Sequence, residues 1–229
     1  MQLEIIYKDE NLVAINKPHG LLVHRTKMAT DAKVFALQEL RDQLGQFVYP
    51  IHRLDRKTSG VLIFALNKEV QRNLSIQFQE GKINKTYKAI VRGHLNGSGI
   101  IDYDLTNDRG TVQSAITYYN ALNHFEINVP LGKHKTSRYT LVELKPETGR
   151  FHQLRKHMSH IFHPIIGDRP HGCNKQNRMW KEEFEMTSMM LHAERVWFEY
   201  EDGKTFSVSA TESDEMTRVV DLLGGDAGL

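Results

Sequence analysis

The chain has little of what stabilises secreted or zinc-bound proteins. It contains a single cysteine, Cys173, among 229 residues. An internal disulfide is therefore excluded, and one thiolate is too few for a structural zinc site. It has no apolar run of 18 residues, and the charged start MQLEIIYKDE lacks the apolar segment of a signal peptide. We expect a cytoplasmic protein with no membrane span.

Patterns that bind nucleotides or metals are also missing. No glycine-rich loop of the Walker type or the GxGxxG type occurs, so nothing indicates a nucleotide cofactor. One segment is rich in histidine, with His152, His157, His160 and His163. Its neighbours are basic, no acidic residue lies nearby, and HExxH is absent, so exposed histidines on a basic helix are the simpler interpretation. We expect no cofactor and no metal, with a metal-dependent hydrolase as one alternative.

The near-neutral charge hides an uneven distribution. The formal net charge is +2, but residues 199–229 carry a net charge of −6, which leaves +8 on residues 1–198. A basic body suits a polyanionic partner such as nucleic acid, although this imbalance alone is weak evidence.

The hydrophobic pattern favours one α+β domain over residues 1–229, built on a mixed, mostly antiparallel sheet with flanking helices. Strands are predicted at residues 3–7, 12–16, 61–66, 85–92, 114–122 and 137–144. Helices are predicted at 31–44, after Asn67, from about 151 and from about 211. Segments 96–113 and 168–181 are predicted to be loops, and a hairpin turning at Asp202 and Gly203 is predicted near the end.

The segment HRLDRKTSG, residues 52–60, places Asp55 between two arginines. An aspartate in such a position commonly caps a turn or pairs with a neighbouring arginine. The alternative is a catalytic carboxylate, which the adjacent positive charge would keep ionised. The residues alone leave both interpretations open.

A second segment, ETGRFHQLRKHMSH, supplies a candidate partner for a carboxylate. On a helix from Phe151, the apolar residues Leu154 and Met158 share one face, and Arg155 falls at its rim. There Arg155 can bury its stem and direct its guanidinium inward, or it can be an ordinary surface arginine.

Tyr87 lies on a predicted strand and would commonly be a core tyrosine.

Three segments add cations suited to phosphate contacts. They are Lys82, Lys85 and Lys88; Lys133, Lys135 and Arg138; and Arg169, Lys175 and Arg178.

Several segments together resemble the motifs of the RluA family of pseudouridine synthases, in order and spacing over roughly residues 3–200. They are KPHGLLVH (17–24), HRLDRKTSGVLIFAL (52–66), KTYKAIVRG (85–93), ETGRFHQLRKHMSHIFHPIIGD (147–168) and LHA (191–193). The resemblance implies an RNA-modifying isomerase that needs no cofactor. Segments such as GDRPHG are most similar to a subgroup that modifies uridine 65 in the T stem of tRNA.

The resemblance also implies roles for residues. Asp55 would be the catalytic nucleophile, Tyr87 the active-site tyrosine and Arg155 the ion-pair partner of Asp55. Arg53 would enter the RNA where the uridine has left. We expect further RNA contacts from His52, Arg150, Lys156 and Lys88. Many family members carry an N-terminal S4-like RNA-binding domain, and we expect none here, so RNA selection would come from the catalytic body.

The expected partner is RNA, in particular tRNA, with no membrane and no protein partner implied. Two alternatives stay open besides the hydrolase. The target could be a ribosomal RNA uridine, or the chain could be an RNA-binding protein that has lost catalysis, although Asp55, Tyr87 and Arg155 are all present.

Overall fold

The computed structural model describes residues 1–25, 31–200 and 203–224. The strands are β1 (Glu4–Lys8), β2 (Leu12–Lys17), β3 (Tyr49–Pro50), β4 (Ser59–Ala65), β5 (Asn84–Arg92), β6 (Ser98–Asp102), β7 (Leu105–Thr106), β8 (Val112–Gln113), β9 (Ile116–Ile127), β10 (Ser137–Pro146), β11 (Leu191–Glu199) and β12 (Thr205–Ser209). The helices are α1 (Ala36–Leu44), α2 (Lys68–Gln79), α3 (Gln153–His160), α4 (Asn174–Phe184) and α5 (Asp214–Leu222). No helix among these residues is long and apolar enough to cross a membrane.

The chain divides into two compact units, each made of two segments. The first unit comprises Met1–Lys85 and Ala193–Thr211, and the second comprises Thr86–His192 and Glu212–Leu229. Two of the three divisions fall inside strands β5 and β11, and the third falls between β12 and α5.

In the first unit the strands run in the order β1, β2, β4, β11, with β12 paired to β11 and β3 paired to β4. Strand β4 is buried at every position, because its sequence SGVLIFA is apolar on both faces. The core of this first unit includes Leu12, Ile63, Leu74 and Phe198. Helix α2 starts where the sequence predicts, because the Asn67 side chain accepts a hydrogen bond from the Val70 N–H at 2.9 Å.

In the second unit the strands run in the order β5, β10, β9, β6, with all neighbours antiparallel. Trp180 and Tyr139 are fully buried in one core cluster, together with residues of α5. A second cluster contains Leu144, Leu154 and Met158. The mixed, mostly antiparallel sheet with helices confirms the predicted α+β class.

Two predicted loops are wrong. Segment 96–113 contains β6, which pairs with β9, and the hairpin of β7 and β8. Segment 168–181 contains most of α4, which forms because Gln176, Met179 and Trp180 lie on one buried face of it. Both segments are polar, and β6 and α4 are ordered by partners outside their own segments, so local composition could not reveal them.

Three helix starts are later than predicted. Helix α1 begins at Ala36, because Phe35 is extended and bridges to Leu22. Helix α3 begins at Gln153, and α5 begins at Asp214 after a Ser213 cap. The predicted hairpin is present as β11 and β12. At its turn Gly203 has a φ of +78°, whereas Asp202 lies outside the described residues.

Candidate active site

The loop that carries Asp55 is tied to the KPHG turn of the same unit. The backbone carbonyl of Arg56 accepts hydrogen bonds from the Gly20 N–H at 2.8 Å and from the Lys17 ammonium at 3.3 Å. In return, the Arg56 Nε donates to the Gly20 carbonyl at 3.1 Å. The Thr58 N–H donates to the Asp55 carbonyl at 3.1 Å and closes the turn. These bonds fix the backbone that directly follows the Asp55 side chain, which is half-buried.

Lys17 is a site residue that the sequence interpretation missed. Its side chain is fully buried, and its ammonium donates to the carbonyls of Pro18, Leu21 and Arg56. Burial lowers the pKa of Lys17 to about 7, and the nearby negative charge of Asp55 opposes that shift. The sequence did contain a signal: Lys17 is the last residue of the apolar strand LVAINK, and a charge buried with such a strand needs a partner.

His52 anchors the other end of the loop. Its Nε2 accepts a hydrogen bond from the Ile63 N–H at 3.1 Å, and its ring stacks on Phe78 with centroids 4.7 Å apart. Burial, and then the charge of Lys85, lower the pKa of His52 to about 3, so the ring is neutral. Its position in HRLD is thus explained by the fold, and an RNA contact by this ring stays a prediction. Arg53, beside it, is exposed.

The second unit holds Tyr87 and Arg155. Tyr87 lies on β5 opposite Leu144 of β10 and is half-buried. Arg155 lies on α3 and is only 4% exposed, deeper than the rim position predicted for it. Its pairing with Asp55 stays a prediction.

Asp168 holds the Arg155 guanidinium. The Arg155 Nε donates to Asp168 Oδ2 at 2.8 Å and an Nη2 donates to Oδ1 at 2.7 Å, a bidentate contact between nearly fully buried side chains. A guanidinium carries five N–H donors, of which Asp168 takes two. The sequence interpretation missed Asp168, although an acidic residue directly after the apolar run HPIIG is a signal of a paired charge.

Gln153 positions the start of α3. Its side-chain oxygen accepts from the Arg150 N–H and the Thr148 hydroxyl, and its amide nitrogen donates to the Ile116 carbonyl and to the Thr117 hydroxyl. The buried glutamine of HQLR thereby joins the helix to β9 and orients the turn on which Arg155 lies.

The histidines of α3 differ in their surroundings. His157 is fully buried between the Thr117 hydroxyl and the Tyr103 carbonyl, and burial lowers its pKa, so the predicted exposure of this residue is wrong. His152 is half-buried and bonds the ring of His171 at 2.9 Å, and His163 is half-buried with its Nδ1 2.8 Å from the Arg92 carbonyl. His160 is exposed, as predicted. Among the described residues, no three histidine, cysteine or acidic side chains are grouped to hold a metal ion.

Lys88, Arg150 and Lys156, three of the cations predicted to contact RNA, lie in the second unit. The Lys88 ammonium pairs with Glu212 at 3.0 Å and is largely buried, so in this arrangement it serves the fold. The Arg150 Nε donates to the Ser114 carbonyl at 2.9 Å. The Lys156 ammonium lies 3.4 Å from the Thr106 carbonyl and 5.9 Å from the centre of the Phe151 ring. Their contacts with RNA stay predictions.

Comparison with known proteins agrees with the sequence motifs. Residues 11–160 match the family model described as RNA pseudouridylate synthase. The tRNA pseudouridine synthase C of Pectobacterium carotovorum subsp. carotovorum is 50% identical over 205 residues, which cover 85% of this chain and 54% of that protein. The chain therefore spans about half the length of this relative. The protein of the same name from Yersinia pestis is 48% identical, with 85% of this chain and 80% of that protein covered.

A solved structure agrees as well. Human RNA Pseudouridylate Synthase Domain Containing 1 has a TM-score of 0.73 and 25% identity, over 92% of this chain and 84% of that one. The family match covers more than half of the chain and includes Asp55, Tyr87 and Arg155. The chain belongs to the RNA pseudouridylate synthase family, a family of RNA-modifying isomerases.

Proposed function

We propose that this chain isomerises one uridine of tRNA, uridine 65 in the T stem, to pseudouridine, with Asp55 as the nucleophile. The observation that carries the proposal is the fixed loop around Asp55, whose flanking backbone is held by Lys17 and Gly20. Relatives that are nearly half identical to this chain and named tRNA pseudouridine synthase C support tRNA as the RNA class.

The reaction explains why one carboxylate suffices. The N1 to C1′ bond of uridine breaks, the uracil turns over, and a bond forms from C5 to C1′. C5 loses a proton and N1 gains one, so nothing is oxidised and no group leaves. Asp55 stabilises or traps the positive charge that develops at C1′, as carboxylates do in glycosidases. The uracil is retained, so no second carboxylate has to activate water.

Arg155 and Tyr87 have supporting roles in this proposal. As the family resemblance implies, Arg155 is the ion-pair partner that keeps Asp55 ionised, and Asp168 fixes the guanidinium that does so. Tyr87 is a base or a stacking partner for the uracil.

A uridine in a stem must leave the helix to reach Asp55, which costs a few kcal/mol. The exposed Arg53, two residues before Asp55, is proposed to fill the vacated position and offset that cost. We expect Arg53→Ala to reduce the rate on folded tRNA while a short unstructured RNA with the same target is converted at the wild-type rate. If the wild type and Arg53→Ala modified folded tRNA at the same rate, this role of Arg53 would be contradicted.

The substrate is tested by mapping pseudouridine in tRNA and ribosomal RNA from cells with and without the gene, by carbodiimide labelling and primer extension. Loss of pseudouridine only at position 65 of tRNA is the expected result. Loss at a ribosomal site instead would assign the same chemistry to another RNA. No loss at any site would support the alternative of an RNA-binding protein without catalysis.

A further inference from the structure

The second residue after α3 is a phenylalanine in a backbone position that favours glycine. Phe162 has a φ of +63°, in the left-handed region. Its N–H donates to the Ser159 carbonyl, and the next N–H, of His163, donates to the Met158 carbonyl. These two bonds form a Schellman motif, in which glycine commonly occupies the position of Phe162. A side chain with a Cβ is strained there.

Packing does not compensate for that strain. The Phe162 side chain is 79% exposed, the largest exposure among the large apolar residues that the structure describes. A phenylalanine that contributes almost no burial and strains the backbone lowers the stability of the chain. Its presence is therefore better explained by a contact with a partner than by the fold.

The residues close to Phe162 in the sequence indicate the chemistry of that partner. His160, two residues earlier, is exposed and stacks on Tyr103 with ring centroids 3.6 Å apart and planes inclined by 18°. Tyr103 is itself 45% exposed. Residues 150–163 contain no acidic residue, and among them Arg150 and Lys156 are cations that reach the surface, whereas Tyr103 lies between the exposed Asp102 and Asp104. Exposed rings beside a basic segment suit nucleic-acid bases and phosphates.

We propose that Tyr103, His160 and Phe162 form an RNA-binding surface, the α3 end surface, on which Phe162 stacks against an unpaired base of the substrate RNA. This proposal rests on the proposed function, because it takes RNA as the substrate, and it adds a contact by residues to which the family resemblance assigns no role. Stacking on an aromatic ring requires a base that is not within a duplex, so the α3 end surface would engage a loop or an end of the RNA.

The test compares Phe162→Gly with the wild type in two measurements. Dissociation constants for an unmodified tRNA transcript are measured by filter binding, and melting temperatures by circular dichroism. Loss of one stacked base weakens binding by about five- to 150-fold. Relief of the left-handed strain raises the melting temperature by about 2 to 4 °C. Weaker binding by a more stable protein is a combination that a structural role for Phe162 would not produce.

Glu185 provides a matched control. It is also exposed, ends α4 and has a φ of +53°. Glu185→Gly is expected to raise the melting temperature similarly and to leave the dissociation constant within about twofold. Phe162→Trp should bind as the wild type does, whereas Phe162→Leu, which is apolar but cannot stack, should bind as weakly as Phe162→Gly.

Two results would overturn the proposal. If Phe162→Gly binds tRNA as tightly as the wild type, the α3 end surface does not bind the substrate. If Phe162→Gly lowers the melting temperature, Phe162 serves the fold. Pseudouridine formation by the wild type in the same preparation separates these failures from a failure of the proposed function, since activity without a Phe162 effect refutes only the surface.

Discussion

Lys17 shows how one buried charge can organise the loop that carries Asp55. An ammonium has three N–H donors, and here each is directed at a backbone carbonyl, of Pro18, Leu21 and Arg56. The KPHG turn and the backbone next to Asp55 are therefore joined through a single atom. The negative charge of Asp55 favours the protonated form of Lys17, and burial opposes it.

The low pKa of Lys17 predicts a pH dependence of stability. Its pKa falls from 10.5 in the unfolded chain to about 7 on folding, so between those values the unfolded chain binds more protons. The free energy of unfolding contributed by Lys17 therefore rises with pH over this window, by at most about 1.4 kcal/mol per pH unit. The free energy of unfolding of the wild type minus that of Lys17→Met should therefore increase from about pH 7 to 10 and level off below about pH 6.

Urea unfolding at several pH values measures that difference. Lys82→Met is the control, because the Lys82 side chain is 67% exposed in an ion pair with Glu80. This substitution should not change how the free energy of unfolding depends on pH. Parallel profiles for the wild type and Lys17→Met would contradict the shifted pKa of Lys17.

The pair of Arg155 and Asp168 predicts a large effect on stability. Asp168→Ala leaves the buried guanidinium of Arg155 without the carboxylate that takes two of its donors. Breaking a buried ion pair in this way costs about 3–5 kcal/mol. Urea unfolding should show a loss of that size. Glu126→Ala, which breaks the exposed pair with Arg138, should change the midpoint far less, and similar losses from both variants would refute this account.

How well individual residues could be predicted depended on where their partners lie. Asn67 was predicted as a cap because its partner, the Val70 N–H, is three residues away. The contacts of Lys17 with Arg56 and of Arg155 with Asp168 span 39 and 13 residues. The residue types indicated only that such charges need partners. The roles assigned to Asp55 and Tyr87 came from the family motifs rather than from physical reasoning on the sequence.

The packing of strand β4 explains why the last residue of HRLDRKTSG, Gly60, is a glycine. Gly60 has a φ of +106°, and a Cβ placed on it would lie 2.2 Å from the carbonyl oxygen of Ala193 on the neighbouring strand β11. Only glycine allows β4 to approach β11 so closely directly after the Asp55 loop.

We therefore expect Gly60→Ala to destabilise the chain through both strain and overpacking, by roughly 2–5 kcal/mol in total. Gly45→Ala is the matched control, since Gly45 also has a positive φ, +66°, but a Cβ there meets nothing within 4 Å. Gly45→Ala should lower the free energy of unfolding only by the cost of backbone strain, about 1–2 kcal/mol. If chemical denaturation showed the same loss of stability for Gly60→Ala and Gly45→Ala, the close approach of β4 to β11 would not be the reason that position 60 requires glycine.

Elements with strong local patterns were predicted well, and elements ordered by distant partners were not. Strands β2 and β4 are apolar runs, and α2 has both a cap and a periodic apolar face. Strand β6 alternates poorly and is ordered by its pairing with β9, which lies more than ten residues further on. Helix α4 has a polar sequence and is ordered by the burial of Trp180.

Across the chain as a whole, the α+β class and the family were predicted from the sequence, whereas the division into two units was not. Each unit combines an early segment with a late one, so its core joins residues that are far apart in sequence. Local patterns indicate which segments are buried but not which distant segments they meet. That one domain forms the catalytic body stays a prediction, as does the cytoplasmic location.

The basic body of the chain, with a net charge of +8 over residues 1–198, suits RNA binding that weakens with salt. Charge can bring RNA to the surface, whereas the proposed chemistry depends on one carboxylate, that of Asp55, which is proposed to act on the sugar. Asp55→Asn retains the size and hydrogen-bonding ability of Asp55 and removes the negative charge.

The most direct test is therefore a comparison of wild type and Asp55→Asn on an unmodified tRNA transcript, with pseudouridine mapped at position 65 and binding measured by filter retention. We expect pseudouridine from the wild type, none from Asp55→Asn, and dissociation constants within about threefold of each other. Pseudouridine formed by Asp55→Asn at an appreciable rate would refute the nucleophile. Failure of the wild type to modify any uridine of tRNA would refute the proposed substrate.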